Sequence, residues 1–511
     1  MSRGEVADAA SGKARSGGAA NDAAPKSGPL SGDTRMLIAG VLRDAQTMFD
    51  VIDPATAQVA GVASDGTVAD LDRAVAAARE AFDTTPWSRD VEFRHHCLMQ
   101  LHAALSDERE RLRRVVVTEV GCCVSATGSQ IDDPIDEVGH WADYGLAFDY
   151  LEDTGLHDGR RGPSRRVLAY EPVGVVGAIT PWNAPFYLNV AETVPALMAG
   201  NTVVLKPAQL TPWSGTELAR IVAERTDIPT GVFNVVTSNA NEVGAALSAH
   251  AGVDMITFTG STATGRAILA AAAPTVKKTL LELGGKSAHI VLDDTELAAV
   301  LPMSAAMACI NSGQSCVLPS RILLPRNRYR EGVELLAAAM QAFPVGDPWD
   351  PANLQGPQIS ETQRRKVLGM ITSGIQDGAT LITGGGVPAH LPGGYFVEPT
   401  LLADVPPQAR VAQEEIFGPV LTVTAYDNED EAIAIANDSI YGLSGEVSSA
   451  DVQRATAVAQ RLRTGSVTVN GGMFFGLTSP FGGMKQSGLG RRNGAEGFRE
   501  YLEIKTMGLP V

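Results

Sequence analysis

The stretch from residue 173 to residue 260 alternates short apolar runs with helical patterns, and this alternation constrains the fold more than any other feature. The apolar runs are VGVVGAI, TVVLKP, VFNVV and MITFTG, and amphipathic segments lie between them at 187–199, 213–225 and 241–249. Strands that are apolar on both faces and alternate with helices are typical of a parallel, doubly wound α/β sheet. Such sheets bind ligands beyond the carboxyl ends of their strands, so polar residues there are the first site candidates.

A second alternating block begins with SAHIVL at 287–292 and continues through a helical pattern at 295–311, SRILLP and FGPVLTVTAY. It predicts a second α/β unit. The segment LEIKTM at 502–507, after the glycine-rich loop 482–490, reads as a lone strand. A lone strand needs a partner edge, either within the chain or on another subunit.

The N-terminal part is predicted to be helical after a polar tail. Residues 67–83 have helical apolar spacing and a capping-box-like start at Thr67 and Asp70. Residues 88–120 predict one or two further helices that end near Gly121. Residues 1–33 are rich in Ala, Gly, Ser and charge without an apolar stripe, which predicts a disordered tail that is dispensable for activity and assembly.

Composition excludes several classes of function. At 53.5 kDa the chain predicts two or three domains, and a formal charge of -17 argues against a general binder of nucleic acid or anionic membranes. Five cysteines without paired spacings argue against a disulfide framework and for a reduced compartment, and no Cys/His spacing indicates a metal. Apolar runs outside the tail are too short to span a bilayer, so we expect a cytoplasmic protein.

Cys316 ends the stretch INSGQSC, whose Gly, Gln and Ser do not build an apolar core. From these residues alone it could be a nucleophile, a metal ligand or a small buried residue, the metal interpretation being weak. The other cysteines lie in helix-like or apolar surroundings and are assigned no chemistry: Cys97, Cys122, Cys123 and Cys309.

Two further residues have the chemistry of a catalytic group. Glu282 in LELGGK is flanked by leucines, and desolvation would raise its pKa towards neutrality, as suits a general base. A salt-bridged structural Glu is an equal alternative. Asn183 in PWNAP stands between two prolines, so its amide is either a rigidly mounted oxyanion donor or an ordinary turn Asn.

Two motifs favour a nucleotide. FTGSTATG at 258–265 joins an apolar strand to a helix, and the helix N-terminus suits a pyrophosphate, although the spacing is not G-x-G-x-x-G. KPAQ at 206–209 puts Lys206 at a strand end, where it could reach a ribose hydroxyl or remain a solvated charge.

Together these strings resemble the NAD(P)-dependent aldehyde dehydrogenase superfamily, over nearly the whole chain after the tail. The matching motifs, in order, are PWNAPF, VVLKPA, FTGSTATG, LELGGKS, GQSC, EEIFGPV and SPFGGMKQSGLGR. The resemblance implies a nucleophilic Cys316, a general base at Glu282, and an oxyanion hole formed by Asn183 and the backbone N–H of Cys316. It thus implies oxidation of an aldehyde to its acid through a thiohemiacetal and a thioester, with NAD as the expected cofactor and NADP possible.

The resemblance also implies cofactor and substrate contacts. Lys206 would bind the adenosine ribose, Trp182, Gly260 and Ser261 the pyrophosphate, and Glu415 and Phe417 the nicotinamide ribose and ring. The remaining cofactor positions are Thr180, Pro181, Gln209, Gly265 and Leu283, and the substrate positions are Ala184, Tyr187, Ser315, Val317, Phe475 and Phe481.

The fold implied is an α/β cofactor domain at 34–149 and 171–283, an α/β catalytic domain at 284–484, and a small β oligomerisation arm at 150–170 and 485–511. Members of this family usually form homodimers or homotetramers, so the final strand would be part of the oligomerisation arm.

Two departures from the family pattern bear on specificity. Gln209 stands where a Glu is frequent; a neutral amide cannot repel a 2′-phosphate, so NADP stays open. Ala184 and Ala191 stand where aromatics are frequent, which suggests room for a bulky or apolar aldehyde.

Two other functions compete with hydrolytic oxidation. An acylating dehydrogenase would pass the thioester to coenzyme A, but the presence of Glu282 favours water as the acceptor. A non-catalytic scaffold would have no reason to hold Cys316, Glu282 and Asn183 together.

Overall fold

The computed structural model describes residues 28–160 and 162–511. Most of the predicted tail, residues 1–27, lies outside this range. Residues 28–33, which we assigned to the tail, contact the body: the N–H of Leu30 donates to the Thr118 hydroxyl at 3.0 Å and that of Asp33 to Glu217 at 2.9 Å.

The described residues form 15 α-helices and 20 strands, here numbered along the chain. The helices are α1 (Val68–Thr84), α2 (Val91–Asp107), α3 (Arg109–Val120), α4 (Asp133–Ala147), α5 (Pro185–Met198), α6 (Trp213–Arg225), α7 (Asn241–Ala249), α8 (Thr262–Ala272), α9 (Leu297–Cys309), α10 (Tyr329–Gln341), α11 (Glu361–Gln376), α12 (Arg410–Gln413), α13 (Glu429–Asn437), α14 (Val452–Ala459) and α15 (Gly494–Glu500). The strands are β1 (Met36–Ile38), β2 (Val41–Arg43), β3 (Met48–Asp53), β4 (Gln58–Ser64), β5 (Leu151–Gly159), β6 (Gly162–Pro172), β7 (Val175–Ile179), β8 (Thr202–Lys206), β9 (Phe233–Val235), β10 (Met255–Thr259), β11 (Lys278–Glu282), β12 (Ala288–Val291), β13 (Arg321–Pro325), β14 (Thr380–Thr383), β15 (Thr400–Ala403), β16 (Val420–Tyr426), β17 (Gly445–Ser448), β18 (Thr468–Val469), β19 (Gly488–Leu489) and β20 (Leu502–Pro510).

The first sheet has the order β19-β11-β10-β7-β8-β9-β1-β2 and confirms the predicted doubly wound unit. Its five central strands, β11, β10, β7, β8 and β9, are parallel. Alternate residues of one strand face opposite cores: Val176 packs with helices α2, α4, α5 and α6, whereas Val175 packs with α1, α7 and α8. The two-sided burial explains the unbroken apolar runs in the sequence.

The second sheet has the order β14-β15-β16-β13-β12-β17-β18 and is parallel except for β14. It too has a core on each face, with α9 and α10 on one and α13 and α14 on the other. The second predicted α/β unit is therefore present.

The final strand finds its partner within the chain. β20 pairs with β6, and β6 with β5, in a three-stranded antiparallel sheet. The predicted arm boundary at residue 485 differs from the structure, because β19 is hydrogen-bonded to β11 of the first sheet, so only β20 of the C-terminal segment joins the three-stranded sheet. A short hairpin of β3 and β4 completes the sheets.

The N-terminal helices follow the sequence closely. Helix α1 begins with the predicted capping box, in which the Thr67 hydroxyl and the Asp70 carboxylate each accept from the other's backbone N–H. Gly121 ends α3 in a left-handed conformation, with φ of 75°. None of the helices in the described part of the chain is long and apolar enough to cross a membrane.

Candidate active site

A tight turn between the two sheets carries Cys316. Helix α9 ends at Cys309, and Asn311, Ser312 and Gly313 then adopt left-handed φ values of 51°, 56° and 69°. A Cβ on Gly313 would lie 2.2 Å from the backbone of Gly418, so only glycine fits there. Ser312 fixes the turn by donating to the Gly356 carbonyl at 2.6 Å.

Cys316 follows in a turn and is partly exposed. The next strand, β13, begins at Arg321. Within the described range, no hydrogen bond occupies the backbone N–H of Cys316.

Asn183 meets this turn across the interface between the two α/β units. Its Nδ2 donates to the Gln314 carbonyl at 3.0 Å, and Asn311 Nδ2 donates to the Asn183 carbonyl at 2.9 Å. The amide therefore lies beside the chain two residues before Cys316. One of its two N–H groups remains for a ligand, because an Asn amide has two donors.

Glu282 closes β11 at the same end of the first sheet. The side chain is 3% exposed, and neither carboxyl oxygen has a hydrogen-bond partner among the residues that the structure describes. Burial raises the pKa of Glu282 to about 8, in the direction that its leucine neighbours predict. A carboxyl group with such a pKa exchanges protons near neutral pH.

The thiol of Cys316 is neutral at rest. Desolvation is the largest cause that raises its pKa to about 12, and the nearby carboxylates of Glu415 and Glu282 raise it further. Since the thiolate is the nucleophile, this thiol needs a base to take its proton. The four other cysteines are free and buried, and no carboxylate, His or Cys cluster in residues 28–160 and 162–511 could hold a metal ion.

A cavity of about 210 Å³ joins these groups. The predicted residues that line it are Pro181, Trp182, Asn183, Gly260, Ser261, Glu282, Leu283, Cys316, Glu415 and Phe417. Four predicted cofactor residues do not line it. The Thr180 hydroxyl donates to Asn189, and the Lys206 ammonium donates to the Pro207 carbonyl at 3.2 Å. Gly265 lies against Leu283. Gln209 lies in the turn after β8.

The cavity wall has features that suit an aromatic ring and a sugar. The rings of Trp182 and Phe417 meet edge to face at 5.2 Å, and Phe417 holds a left-handed φ of 60°. Glu415 accepts from the N–H of Gly285 at 2.9 Å and keeps its second oxygen near Gly284. This oxygen is a free acceptor for a hydroxyl.

Helix α8 begins at the cavity. Ser261 is its N-cap and accepts from the N–H of Thr264, and the N–H of Gly260 donates to the Glu282 carbonyl at 3.0 Å. The helix N-terminus carries a partial positive charge that favours a phosphate.

The candidate substrate residues divide into two groups. Tyr187, Phe475 and Phe481 form an aromatic cluster, with Phe475 at 6.3 Å from Tyr187 and 5.3 Å from Phe481 between ring centroids. Phe474, which the sequence analysis missed, stacks on Phe481. Ala184 caps α5, and Ser315 and Val317 flank Cys316 in the turn.

Four cavity residues were also missed: Thr259, Gly284, Gln363 and Lys366. Gln363 donates to the Phe417 carbonyl at 2.7 Å and so holds that ring in place. Gln363 and Lys366 lie on α11, which has no recognisable motif. Thr259 and Gly284 stand inside FTGST and LELGGK, so these motifs contained a signal for them.

Comparison with known proteins identifies the family of this chain. The model of the aldehyde dehydrogenase family matches residues 41–507. The chain is 44% identical over 460 residues to 3-succinoylsemialdehyde-pyridine dehydrogenase from a Pseudomonas species, covering 90% of this chain and 94% of that one.

Two solved structures share the fold. One is an aldehyde dehydrogenase of Mycobacterium tuberculosis complexed with NAD+, with a TM-score of 0.88 and 41% identity, covering 93% of this chain and 98% of that one. The other is a variant of aldehyde dehydrogenase C from Pseudomonas syringae with NAD+ and octanal, with a TM-score of 0.88 and 39% identity, covering 93% and 96%.

Proposed function

This chain belongs to the aldehyde dehydrogenase family, and we propose that it oxidises an aldehyde to its carboxylic acid with NAD through a covalent intermediate on Cys316. The observation that carries the proposal is the meeting of Cys316, Glu282 and Asn183 at one cavity. Three segments more than 30 residues apart in the chain have no structural need to place a thiol, an unpartnered carboxyl and a free amide donor together.

The first step forms a bond between sulfur and carbon. An aldehyde carbon is a poor hydride donor until it becomes tetrahedral, and attack by the Cys316 thiolate makes it so. The thiol proton passes to Glu282, directly or through water. The oxyanion of this thiohemiacetal is stabilised by Asn183 Nδ2 and by the backbone N–H of Cys316, each worth on the order of 3 kcal/mol.

NAD, when bound, supplies the acceptor for the hydride. Trp182, Phe417 and the second oxygen of Glu415 would hold its nicotinamide end, and Gly260 and Ser261 at the N-terminus of α8 would hold its phosphates. Lys206 and Gln209 stand further along the same strand ends, where the ribose of adenosine would lie. Gln209 does not repel a 2′-phosphate, so we propose NAD as the main cofactor with some use of NADP.

The second half-reaction releases the acid. Loss of hydride leaves a thioester on Cys316, and Glu282 passes the thiol proton to solvent. As a carboxylate it then takes a proton from water while the water oxygen attacks the thioester carbon. The bond between carbon and sulfur breaks, the acid leaves, and the Cys316 sulfur takes back a proton to restore the resting thiol. The two unpartnered oxygens of Glu282 suit this role because a carboxylate committed to a salt bridge is a weaker base.

A screen of aldehydes against NAD and NADP tests the activity, with absorbance of the reduced cofactor and analysis of the product. We expect reduced NAD and free acid in equal amounts. Formation of acyl-coenzyme A instead of acid would assign the thioester to a thiol acceptor. No reduced cofactor with any aldehyde would contradict the proposal.

We expect the substrate to be bulky or apolar. Ala184 and Ala191 are small residues at the start of and within α5, the helix that also carries Tyr187 of the aromatic cluster. The Pseudomonas syringae relative was crystallised with octanal, an aldehyde of this kind. Values of kcat/KM for octanal and benzaldehyde above that for acetaldehyde would support this expectation, and a strong preference for acetaldehyde would overturn it.

The domain roles are part of the same proposal. The unit around the first sheet binds the cofactor, the unit around the second sheet carries Cys316, and the three-stranded sheet of β5, β6 and β20 is the arm of a homodimer or homotetramer. We place the protein in the cytoplasm, since all five of its cysteines are free.

A further inference from the structure

Buried charged groups surround Glu282, and the reaction described above uses none of these neighbours. We call them, together with Glu282, the carboxylate–guanidinium cluster; its members are Glu137 on α4, Glu192 on α5, Glu282 on β11 and Arg492 before α15. Their exposed fractions are 5%, 0%, 3% and 7%. One guanidinium thus faces three carboxyl groups in the protein interior.

Arg492 is fixed on one side only. Its Nη2 donates to Glu192 and to the Thr259 hydroxyl, and that hydroxyl also donates to Glu192 at 2.6 Å. The backbone of Arg492 pairs with Phe481 through two hydrogen bonds of 2.7 Å. In contrast, its Nε has no hydrogen-bond partner among the described residues, although it is buried.

Arg492, whose Nε is unpaired among the described residues, and the Glu282 carboxyl lie in the same part of the protein interior. Thr259 and Glu282 are register partners on the adjacent parallel strands β10 and β11, so their side chains leave the sheet on one face about 5 Å apart. Gly482, next to Phe481, comes so close that a Cβ there would lie 2.8 Å from Glu282 Oε1. The same loop therefore contacts the Glu282 carboxyl and holds Arg492 behind it.

Glu282 and Arg492 have complementary hydrogen-bonding groups that lack partners among the described residues. Among residues 28–160 and 162–511, neither carboxyl oxygen of Glu282 has a donor, and the buried Nε–H of Arg492 has no acceptor. Buried polar atoms usually have a partner, and exceptions concentrate where a group must change its contacts or its charge. We propose that Arg492, anchored by Glu192 and Thr259, is a positioning residue that favours the carboxylate form of Glu282 when water attacks the thioester.

The charges that act on Glu282 determine the direction of the effect. Arg492 lowers its pKa, Glu192 raises it, and Arg491 lowers it, all against the larger effect of burial, which raises it. Other titratable groups face the cluster: Tyr187, Tyr501, Cys316 and Asp133. Burial and Asp133 raise the pKa of Glu137 to about 8, and Arg492 lowers it, so the guanidinium acts on this carboxyl as well as on Glu282.

The inference rests on the proposed function, and neutralising each partner of Glu282 separately tests it. Cys316 is acylated with p-nitrophenyl acetate, and the rate of hydrolysis of the acyl-enzyme is measured as a function of pH. Ionisation of Glu282 gives this pH–rate profile a rising limb. For Arg492→Gln we expect the limb to move to higher pH by about one unit and the hydrolysis rate at pH 7 to fall about tenfold. For Glu192→Gln we expect a shift to lower pH, because the negative charge that raises the pKa of Glu282 is then removed.

Opposite shifts distinguish electrostatic control from damage to the fold, since damage would not move the limb in two directions. Arg492→Lys keeps the charge and is expected to restore most of the wild-type limb. If Arg492→Gln does not fold, the double variant Arg492→Gln with Glu192→Gln replaces it and removes both charges of the buried pair. Its rising limb should lie between that of the wild type and that expected for Arg492→Gln alone. Folding is checked by the thermal midpoint and by NAD binding.

Two results would overturn the inference: shifts of the same sign in both single variants, or an unchanged limb in folded protein. A wild-type protein that oxidises no aldehyde would refute the proposed function instead. A limb that persists in Glu282→Gln would refute the general-base role and the inference with it.

Discussion

The chemistry of the site depends on one residue whose pKa opposes its role. Burial raises the pKa of the Cys316 thiol to about 12, whereas a nucleophile must be a thiolate. A thiol with a raised pKa reacts slowly with oxidants and electrophiles at neutral pH, because little of it is thiolate. It reacts when an aldehyde is in place and Glu282 can accept the proton.

The raised pKa gives a prediction for alkylation. Far below the pKa the thiolate fraction grows tenfold for each pH unit, so we expect inactivation of the cofactor-free enzyme by iodoacetamide to accelerate about tenfold per unit between pH 7 and pH 10. Peptide mass analysis at partial inactivation should locate the label on Cys316. A rate that is already constant below pH 8 would mean that the resting enzyme holds a thiolate.

Removing the thiol should abolish oxidation. In Cys316→Ala we expect kcat/KM to fall by on the order of 10⁴-fold or more, with NAD still bound, because no other group can form the tetrahedral adduct. Cys309→Ala is the matched control, since Cys309 is a buried thiol seven residues earlier within the core on one face of the second sheet. Equal loss of activity in both variants, or a fully active Cys316→Ala, would contradict the covalent mechanism.

At the scale of elements, helices and central strands could be predicted because their patterns are local. Helices α6 and α7 have the predicted bounds, and the four strands predicted between 173 and 260 are present. The turn before Cys316, with its three left-handed residues, could not be predicted in this way. They depend on Gly356 and Gly418, which contact the turn from distant parts of the chain.

This turn should tolerate no side chain at Gly313. Gly313→Ala combines a left-handed φ with a Cβ 2.2 Å from the Gly418 backbone, so we expect it to shift Cys316, lower kcat by at least about tenfold and destabilise the protein by roughly 2–4 kcal/mol. The measurements are steady-state kinetics and chemical unfolding.

Gly378→Ala serves as the control for that variant. Gly378 also has a positive φ, of 102°, but no atom lies within 4 Å of the added Cβ. It should lose only about 1–2 kcal/mol of stability and retain activity. Activity preserved in Gly313→Ala would show that the turn does not position the thiol.

At the scale of the molecule, the parts that the sequence left unpredicted arise where separate units meet. Asn183, Cys316 and Glu282 were predicted from motifs, and their meeting was implied by resemblance to a family. Arg492 and Glu192 come from segments 300 residues apart, and nothing local distinguishes a buried Arg from a solvated one. Lys366 and Gln363 were not predicted for the same reason.

The three-stranded sheet allows a test of assembly. Its outer strands expose Leu151 and Leu156, each 66% exposed, and Ile504, 61% exposed. Exposed apolar residues on sheet edges favour association, so we expect the triple replacement by Lys to reduce the molar mass in light scattering to that of a monomer or dimer. Val452→Lys, at a site that is 58% exposed on α14, is the control. An unchanged assembly in the triple variant would exclude this sheet as the arm.

The most direct test of the central claim is the intact mass of Glu282→Gln after mixing with NAD and octanal. If Cys316 carries the acyl group and Glu282 activates the water, each subunit should form one equivalent of NADH and then stall. Its mass should rise by one octanoyl group, mapped to Cys316, while the wild type turns over without accumulating the adduct. An adduct on another residue, or Glu282→Gln turning over at the wild-type rate, would contradict the mechanism.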